Sequence, residues 1–177
     1  MNIVIASLYA NPLTIAHIRY LKEAAELGHL LTIINNDKQV IIKRGIPFIN
    51  SLSRLEIVRE LKPVWDAIIS IDEDESVSKT IEYIYEEVIP KKLPSCKIHN
   101  NYFVNGGPLI EANSKELEIC KKYNIKPLYG VGGTEKIESS SNLIEQAAME
   151  WIKRNRDKAE RIIENDLKQR PSNYEFI

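Results

Sequence analysis

The chain opens on MNIVIASLYANPLTIAHIRYLKEAAELG, a strand, a turn and a helix within residues 1–28. The β-branched run from Ile3 to Ala6 carries no polar alternation, so it reads as a strand covered on both faces. Pro12 fixes the backbone of the turn that follows. Thr14 stands at a helix N-cap, ahead of apolar residues at Ile15, Ile18, Leu21, Ala24, Ala25 and Leu27, and Gly28 ends that helix at C′. Unpaired N–H groups and the positive end of the helix dipole then face the turn, which suits a phosphate. His17 lies three residues after Thr14, so hydroxyl and imidazole project from nearly one face toward the same mouth. Such a pair can stabilise charge on a phosphate undergoing displacement. Spacing alone also fits a plain N-cap beside a half-buried histidine.

Downstream, strands alternate with helices. Leu30–Ile34 reads as a second buried strand, Lys38–Asn50 as a mobile basic loop, and Ser51 or Ser53 as the cap of a helix running through Leu61. Val64–Ile71 is a third strand, followed by the acidic turn Asp72–Glu75, read as solvated, and by a helix capped at Ser76 that runs to about Ile89. A strand near Tyr102–Val104, a helix over Ser114–Tyr123 and a strand over Pro127–Val131 follow. One long charged helix from about Asn142 to Gln169 comes last. This order implies right-handed crossovers and an α/β fold, a Rossmann-like parallel sheet with helices on both faces plus the C-terminal helix. The expected division is 1–144 for the α/β domain and 145–177 for a helical extension packed on it or on a partner subunit. Three motifs fall at strand ends, Leu8–His17, Asn105–Gly107 and Gly130–Ser141. Open parallel sheets bind ligands there, where strand order reverses.

With 24 Lys and Arg against 25 Asp and Glu, the net charge of −1 argues against broad binding to nucleic acid or to a membrane surface. Cys96 and Cys120 are too few and too isolated for a disulfide framework or a zinc site, and a reducing cytoplasm is the simpler expectation. No stretch is apolar and long enough to span a bilayer.

Asn11-Pro12-Leu13-Thr14-Ile15-Ala16-His17 resembles the (H/T)xGH signature of the nucleotidylyltransferase superfamily, with Ala16 in place of the usual glycine. Where that family carries a Gly-rich turn, this chain has Leu8, Tyr9, Ala10 and Asn11, which the resemblance turns toward the nucleotide without glycine. Asp37 with Lys38, and Lys43 with Arg44, resemble the family's N-x-D and basic-loop region; an ordinary solvated loop also fits them. Arg54-Leu55-Glu56-Ile57-Val58 resembles the E-x-R-x-x-x-V helix, with Arg54 at the position of a substrate-side arginine and serines where the acid stands. Phe103-Val104-Asn105-Gly106-Gly107 resembles F-x-N-G-G-D, with Pro108 for the aspartate. Gly130–Ser141 resembles G-V-G-G-x-x-K-x-x-S-S-S, whose serines open a helix.

The resemblance is closest to cytidylyltransferases. It implies attack by a substrate phosphate on the α-phosphorus of CTP (or ATP), with release of pyrophosphate. His17 and Thr14 are implied to stabilise the reacting phosphates, and Lys43, Arg44 and Lys136 to neutralise the β and γ charges. Ser139, Ser140 and Ser141 are implied to hold the triphosphate, Asn105, Gly106 and Gly107 to line the nucleotide, and Arg44, Arg54 and Asp37 to face the phosphorylated acceptor. Mg²⁺ is expected with the nucleotide, without a dedicated carboxylate cage. The expected partners are the triphosphate and a small phosphorylated molecule, with a homodimer as a possible assembly. A non-catalytic homologue with a sensing or assembly role is the rival expectation.

Overall fold

The computed structural model describes residues 1–106, 113–133 and 140–169. Five parallel strands, β1 (Asn2–Leu8), β2 (His29–Ile34), β3 (Asp66–Ile69), β4 (Asn100–Asn105) and β5 (Lys126–Tyr129), form one sheet in the order β3-β2-β1-β4-β5. β1 is central, with Ile5 opposite Leu31 on one side and opposite Phe103 on the other. That explains its unbroken apolar run, because a central strand of a doubly covered sheet has no wet face. Val4, Ala6 and Leu8, with Leu30 and Ile34, face α1 (Ile15–Glu26) and α3 (Ser51–Arg59), where Tyr20, Leu21, Ala24 and Val58 meet them. Ile3 and Ile5, with Leu31 and Ile33, face the opposite layer of Ile81, Ile84, Val88 and Cys120. That layer is built from α4 (Ser78–Tyr83), a π-helical stretch Ile84–Val88, α5 (Ile89–Lys92) and α6 (Ser114–Lys122).

The chain divides into two compact units, Met1–Ser140 and Ser141–Ile177. The expected single C-terminal helix is two, α7 (Ser140–Arg154) and α8 (Arg156–Gln169). The break falls at Asn155, whose side-chain amide donates to Trp151 O at 3.0 Å while its own carbonyl accepts from Ala159. Asparagine offers the backbone such local alternatives, which periodicity does not reveal.

Two other expectations are corrected. The segment read as a mobile loop contains α2 (Asp37–Arg44), closed at its start by a reciprocal capping box. Asn36 Oδ1 accepts from Gln39 N and Gln39 Oε1 accepts from Asn36 N, each at 3.0 Å. Gln39 is fully buried and donates to Asp74 O and Ser76 O, both at 2.7 Å, tying α2 to the loop after β3. The acidic turn in that loop is not wholly solvated. Asp72 is buried and accepts from the N–H groups of Lys79 (2.9 Å) and Thr80 (3.0 Å), so it caps α4 in place of Ser76.

Two glycines are required by close approach. A Cβ on Gly28 would lie 2.5 Å from Asn2 O, and one on Gly132 would lie 2.8 Å from Tyr20 Cα. Gly132 also sits at φ +89° and its N–H donates to Glu23 Oε2 at 2.9 Å, so the turn after β5 rests directly on α1. Gly132→Ala is expected to lower stability by about 2 kcal/mol or more, because helix backbone cannot yield as a side chain can. Urea unfolding checks this, and a loss under about 0.5 kcal/mol, the range of neutral surface changes, would contradict it.

Candidate active site

In a 3-2-1-4-5 sheet the strand order reverses between β1 and β4, and the crevice beyond their carboxyl ends is open to a ligand. β1 runs out at Leu8 into a turn that reaches α1 through Ala10 at φ +46° and a cis Asn11–Pro12 bond. The glycine missing from this turn is thus replaced by an alanine in the left-handed region. Asn11 is buried, and both ends of its carboxamide bond to backbone. Its Oδ1 accepts from Phe48 N (2.8 Å) and Ile49 N (3.0 Å), and its Nδ2 donates to Ile46 O at 3.5 Å. Rather than facing a nucleotide, this side chain clips the turn to the segment joining α2 and α3.

Thr14 N-caps α1, and the His17 imidazole takes the position of the glutamate in a capping box. Nδ1 accepts from Thr14 N–H at 3.0 Å and lies 2.9 Å from Thr14 Oγ1. A nitrogen that accepts carries no proton, so the neutral ring bears its hydrogen on Nε2. Burial, reinforced by the Arg44 guanidinium, pushes His17 down to about 4. The ring is therefore a neutral Nε2–H donor at physiological pH, held at the positive end of α1.

Tyr9, from the turn, meets both of the cations that end α2. Lys43 Nζ is 5.0 Å from the ring centroid and the Arg44 guanidinium carbon 5.5 Å. Among the described residues, Tyr9 OH and Arg44 Nη1 are both buried without a hydrogen-bond partner. Burial and then Glu75 push the Tyr9 phenol up to about 12, so it keeps its proton. Two orphaned donors beside a helix N-terminus fit an anion, because buried polar groups left unmatched carry a desolvation cost.

Arg54 and Asp37, expected to face the acceptor, do not. The Arg54 side chain is fully buried, donating through Nε to Ile49 O (2.9 Å), through Nη1 to Tyr9 O and Asn35 O, and through Nη2 to Asp37 Oδ1 (2.7 Å). The other oxygen of Asp37 accepts from Ser51 N (3.1 Å) and Ser51 Oγ (3.2 Å). Burial alone would raise the Asp37 carboxyl, but these bonds and the guanidinium outweigh it and lower it. The pair is a structural staple beneath the turn. An arginine in the first turns of a helix reads as exposed in sequence; here it threads inward under three carbonyls.

The distal motifs reach the same end of the sheet. Tyr20 OH donates to Val104 O at 2.7 Å, Val131 N donates to Asn105 O at 3.3 Å, and Gly106 lies against the Tyr20 ring. Ser140 is buried and its Oγ donates to Pro12 O at 2.9 Å, two residues before the N-cap. Ser141 opens the second unit. Gly107, Lys136 and Ser139 lie outside the described residues.

Beside the Tyr9 cluster is a cavity of about 310 Å³ lined by Ser7, Tyr9, Asn35, Lys43, Glu75, Val77, Asn105, Asn113 and Glu116. Glu116 was invisible to motif reading, as it projects from α6, far along the chain, with no local signal. Asn35, at the carboxyl end of β2, had a positional signal in the Asn35-Asn36-Asp37 run. Glu116 Oε1 accepts from Val77 N at 3.2 Å, and burial raises its carboxyl to about 7. Among the described residues no group of three or more His, Cys, Asp or Glu side chains is placed to hold a metal ion. Magnesium commonly binds through substrate phosphates with only one or two carboxylates, and the cavity lining holds two, Glu75 and Glu116.

The fold and this crevice define a Rossmann-like α/β protein with an anion-ready helix at the switch point of its sheet. The chain belongs to the cytidylyltransferase-like family, whose model matches residues 10–175. Over 74 residues it is 39% identical to FAD synthase from Methanothermus fervidus, covering 40% of this chain and 50% of that one. Over 76 residues it is 34% identical to FAD synthase from Thermoplasma acidophilum, covering 42% of this chain and 52% of that one. The chain thus spans about half the length of the curated relatives it matches. A crystal structure of a lipopolysaccharide core biosynthesis protein from Thermoplasma volcanium GSS1 is similar with a TM-score of 0.50 and 26% identity, covering 73% of this chain and 95% of that one. Among the described residues no helix is long and apolar enough to cross a membrane.

Proposed function

We propose that the chain transfers a nucleoside monophosphate from a nucleoside triphosphate to a small phosphorylated acceptor. An oxygen of the acceptor phosphate forms a bond to the α-phosphorus, the bond from that phosphorus to the α–β bridging oxygen breaks, and pyrophosphate leaves with the electron pair. No covalent enzyme intermediate is needed; positioning and charge stabilisation supply the rate. The reading rests chiefly on the neutral His17, its Nδ1 fixed by Thr14 N–H and its Nε2–H left as a donor at the mouth of α1. In this scheme His17 donates to a non-bridging α-phosphate oxygen, Thr14 orients the ring, and Lys43, Arg44 and Tyr9 OH take the charge of the departing phosphates. Mg²⁺ bound to the triphosphate supplies further charge neutralisation. The proposed setting is the cytoplasm, with no nucleic-acid partner.

Family membership supports CTP as donor, and the likeness to FAD synthases supports ATP as the second candidate, since FAD is AMP joined to a flavin phosphate. Incubation with Mg²⁺, each nucleoside triphosphate and a panel of phosphorylated alcohols, sugars and riboflavin 5′-phosphate is expected to release pyrophosphate. Arg44→Ala is expected to weaken triphosphate binding by about tenfold, the scale of one charge-assisted contact. Nucleotide binding without pyrophosphate from any pair would leave a sensing role; failure to bind any nucleotide would remove the reading.

A further inference from the structure

We propose that Tyr20 is a positioning residue: its hydroxyl pins β1 to β4 where these strands part, fixing the helix that carries His17 against the groups that line the cavity. Its effect on turnover rests on the nucleotidyl-transfer reading; the pin itself stands on geometry. β1 stays paired with β2 as far as Leu8–Ile34, and β4 with β5 as far as Asn105–Tyr129. Between β1 and β4 the register ends earlier on both strands, at Ala6–Val104. Ser7 and Asn105, the next residue on each arm of this fork, both line the cavity. The Tyr20 hydroxyl meets both arms. It donates to Val104 O at 2.7 Å. Burial pushes the phenol's pKa up, and the Ser7 backbone N–H, bonding to its oxygen, works against that push. The donor and an acceptor position of one hydroxyl are therefore both spent on the diverging strands.

The rest of the same residue steadies the crevice from below. Tyr20 is buried and follows His17 by three positions on α1, so the two side chains are neighbours on the helix. A Cβ at Gly106 would stand 3.7 Å from Tyr20 Cδ2, and one at Gly132 would stand 2.8 Å from Tyr20 Cα. Val131 N, donating to Asn105 O at 3.3 Å, ties those two glycine segments to each other. The helix of His17, the end of β4 and the turn after β5 are thus all referred to one side chain. A leucine or phenylalanine would pack this face of α1 with no polar group to bury, and a buried hydroxyl carries a desolvation cost that its partners must offset. In the proposed reaction the rate comes from alignment, where a displacement of about 1 Å can cost about a hundredfold.

Tyr20→Phe removes the hydroxyl and keeps the ring with its contacts, so it is expected to fold; Tyr20→Leu removes both. With pyrophosphate release as the readout, each variant is expected to lower kcat by about tenfold to a hundredfold. KM for the triphosphate should stay within about twofold, because His17, Lys43 and Arg44 are untouched. Tyr20→Phe should lower Tm by no more than about 4 °C, and Tyr20→Leu by clearly more. Turnover would then follow the hydroxyl and Tm the ring, a pattern that lost stability alone does not produce. Amide hydrogen exchange followed by NMR reads the pin without turnover: the Ser7 amide is expected to exchange about tenfold faster in Tyr20→Phe, with Ile5 unchanged. A kcat within about twofold of the parent in Tyr20→Phe, a kcat that tracks Tm across the two variants, or an unchanged Ser7 exchange rate would overturn the proposal. If no substrate pair turns over in the parent protein, the transfer reading fails, and the Ser7 exchange rate still decides the pin.

Discussion

His17→Ala is expected to lower kcat for nucleotidyl transfer by about a hundredfold to a thousandfold, the scale for removing one preorganised donor from a developing oxyanion. The triphosphate should still bind, because Arg44, Lys43 and the α1 N-terminus remain. The pH profile is the sharper test. His17 sits at about 4 against an ordinary 6.5, so the neutral donor persists well below neutrality and kcat should show no break at 6.5 assignable to this residue. The same shift affects stability. As pH falls below 6.5 the unfolded chain takes up this proton first, so the His17 contribution is full above 6.5 and is lost as pH falls through about 4. In the alanine variant that part of the acid sensitivity should vanish from the thermal-unfolding curve. An acid limb near 6.5 that disappears in His17→Ala would mean the imidazolium is the working form, against the hydrogen bond from Thr14.

Arg54→Met is expected to cost about 3 kcal/mol or more, because buried acceptors left without a donor cost about 1–3 kcal/mol each. Its guanidinium satisfies carbonyls from Ile49, Tyr9 and Asn35 as well as Asp37, and methionine leaves all four without their donor. Arg54→Lys should recover little, since one ammonium cannot reproduce a planar fork with bonds in four directions. Chemical denaturation measures the loss. A fall in activity with unchanged stability would instead return Arg54 to the role of gripping substrate.

The sheet was legible because β1 and β2 are buried on both faces and their apolar runs say so. The helix around Thr14 and His17 was legible because a spacing of three has one geometric meaning on a helix. α2 escaped because Val40 is buried while Ile41 and Ile42 are more than half exposed, which erases the period. Its capping box, Asn36 to Gln39, was the signal that periodicity overlooked. Arg54 was misplaced for a different reason. Sequence gives a helix position but not the direction of a long side chain, and only the packed turn shows three carbonyls waiting beneath it. Glu116 joins the cavity through a crossover to β5's side of the sheet, a proximity that no local pattern encodes.

The Asn11 clip has a consequence for how this molecule can vary. One carboxamide grips three backbone groups of the segment after α2, so the stretch bearing Lys43 and Arg44 and the hinge into α1 are mechanically a single piece. Lengthening or shortening the connection between α2 and α3 would break that grip and leave a buried amide unmatched. Novelty in what the molecule accepts is therefore channelled away from this side.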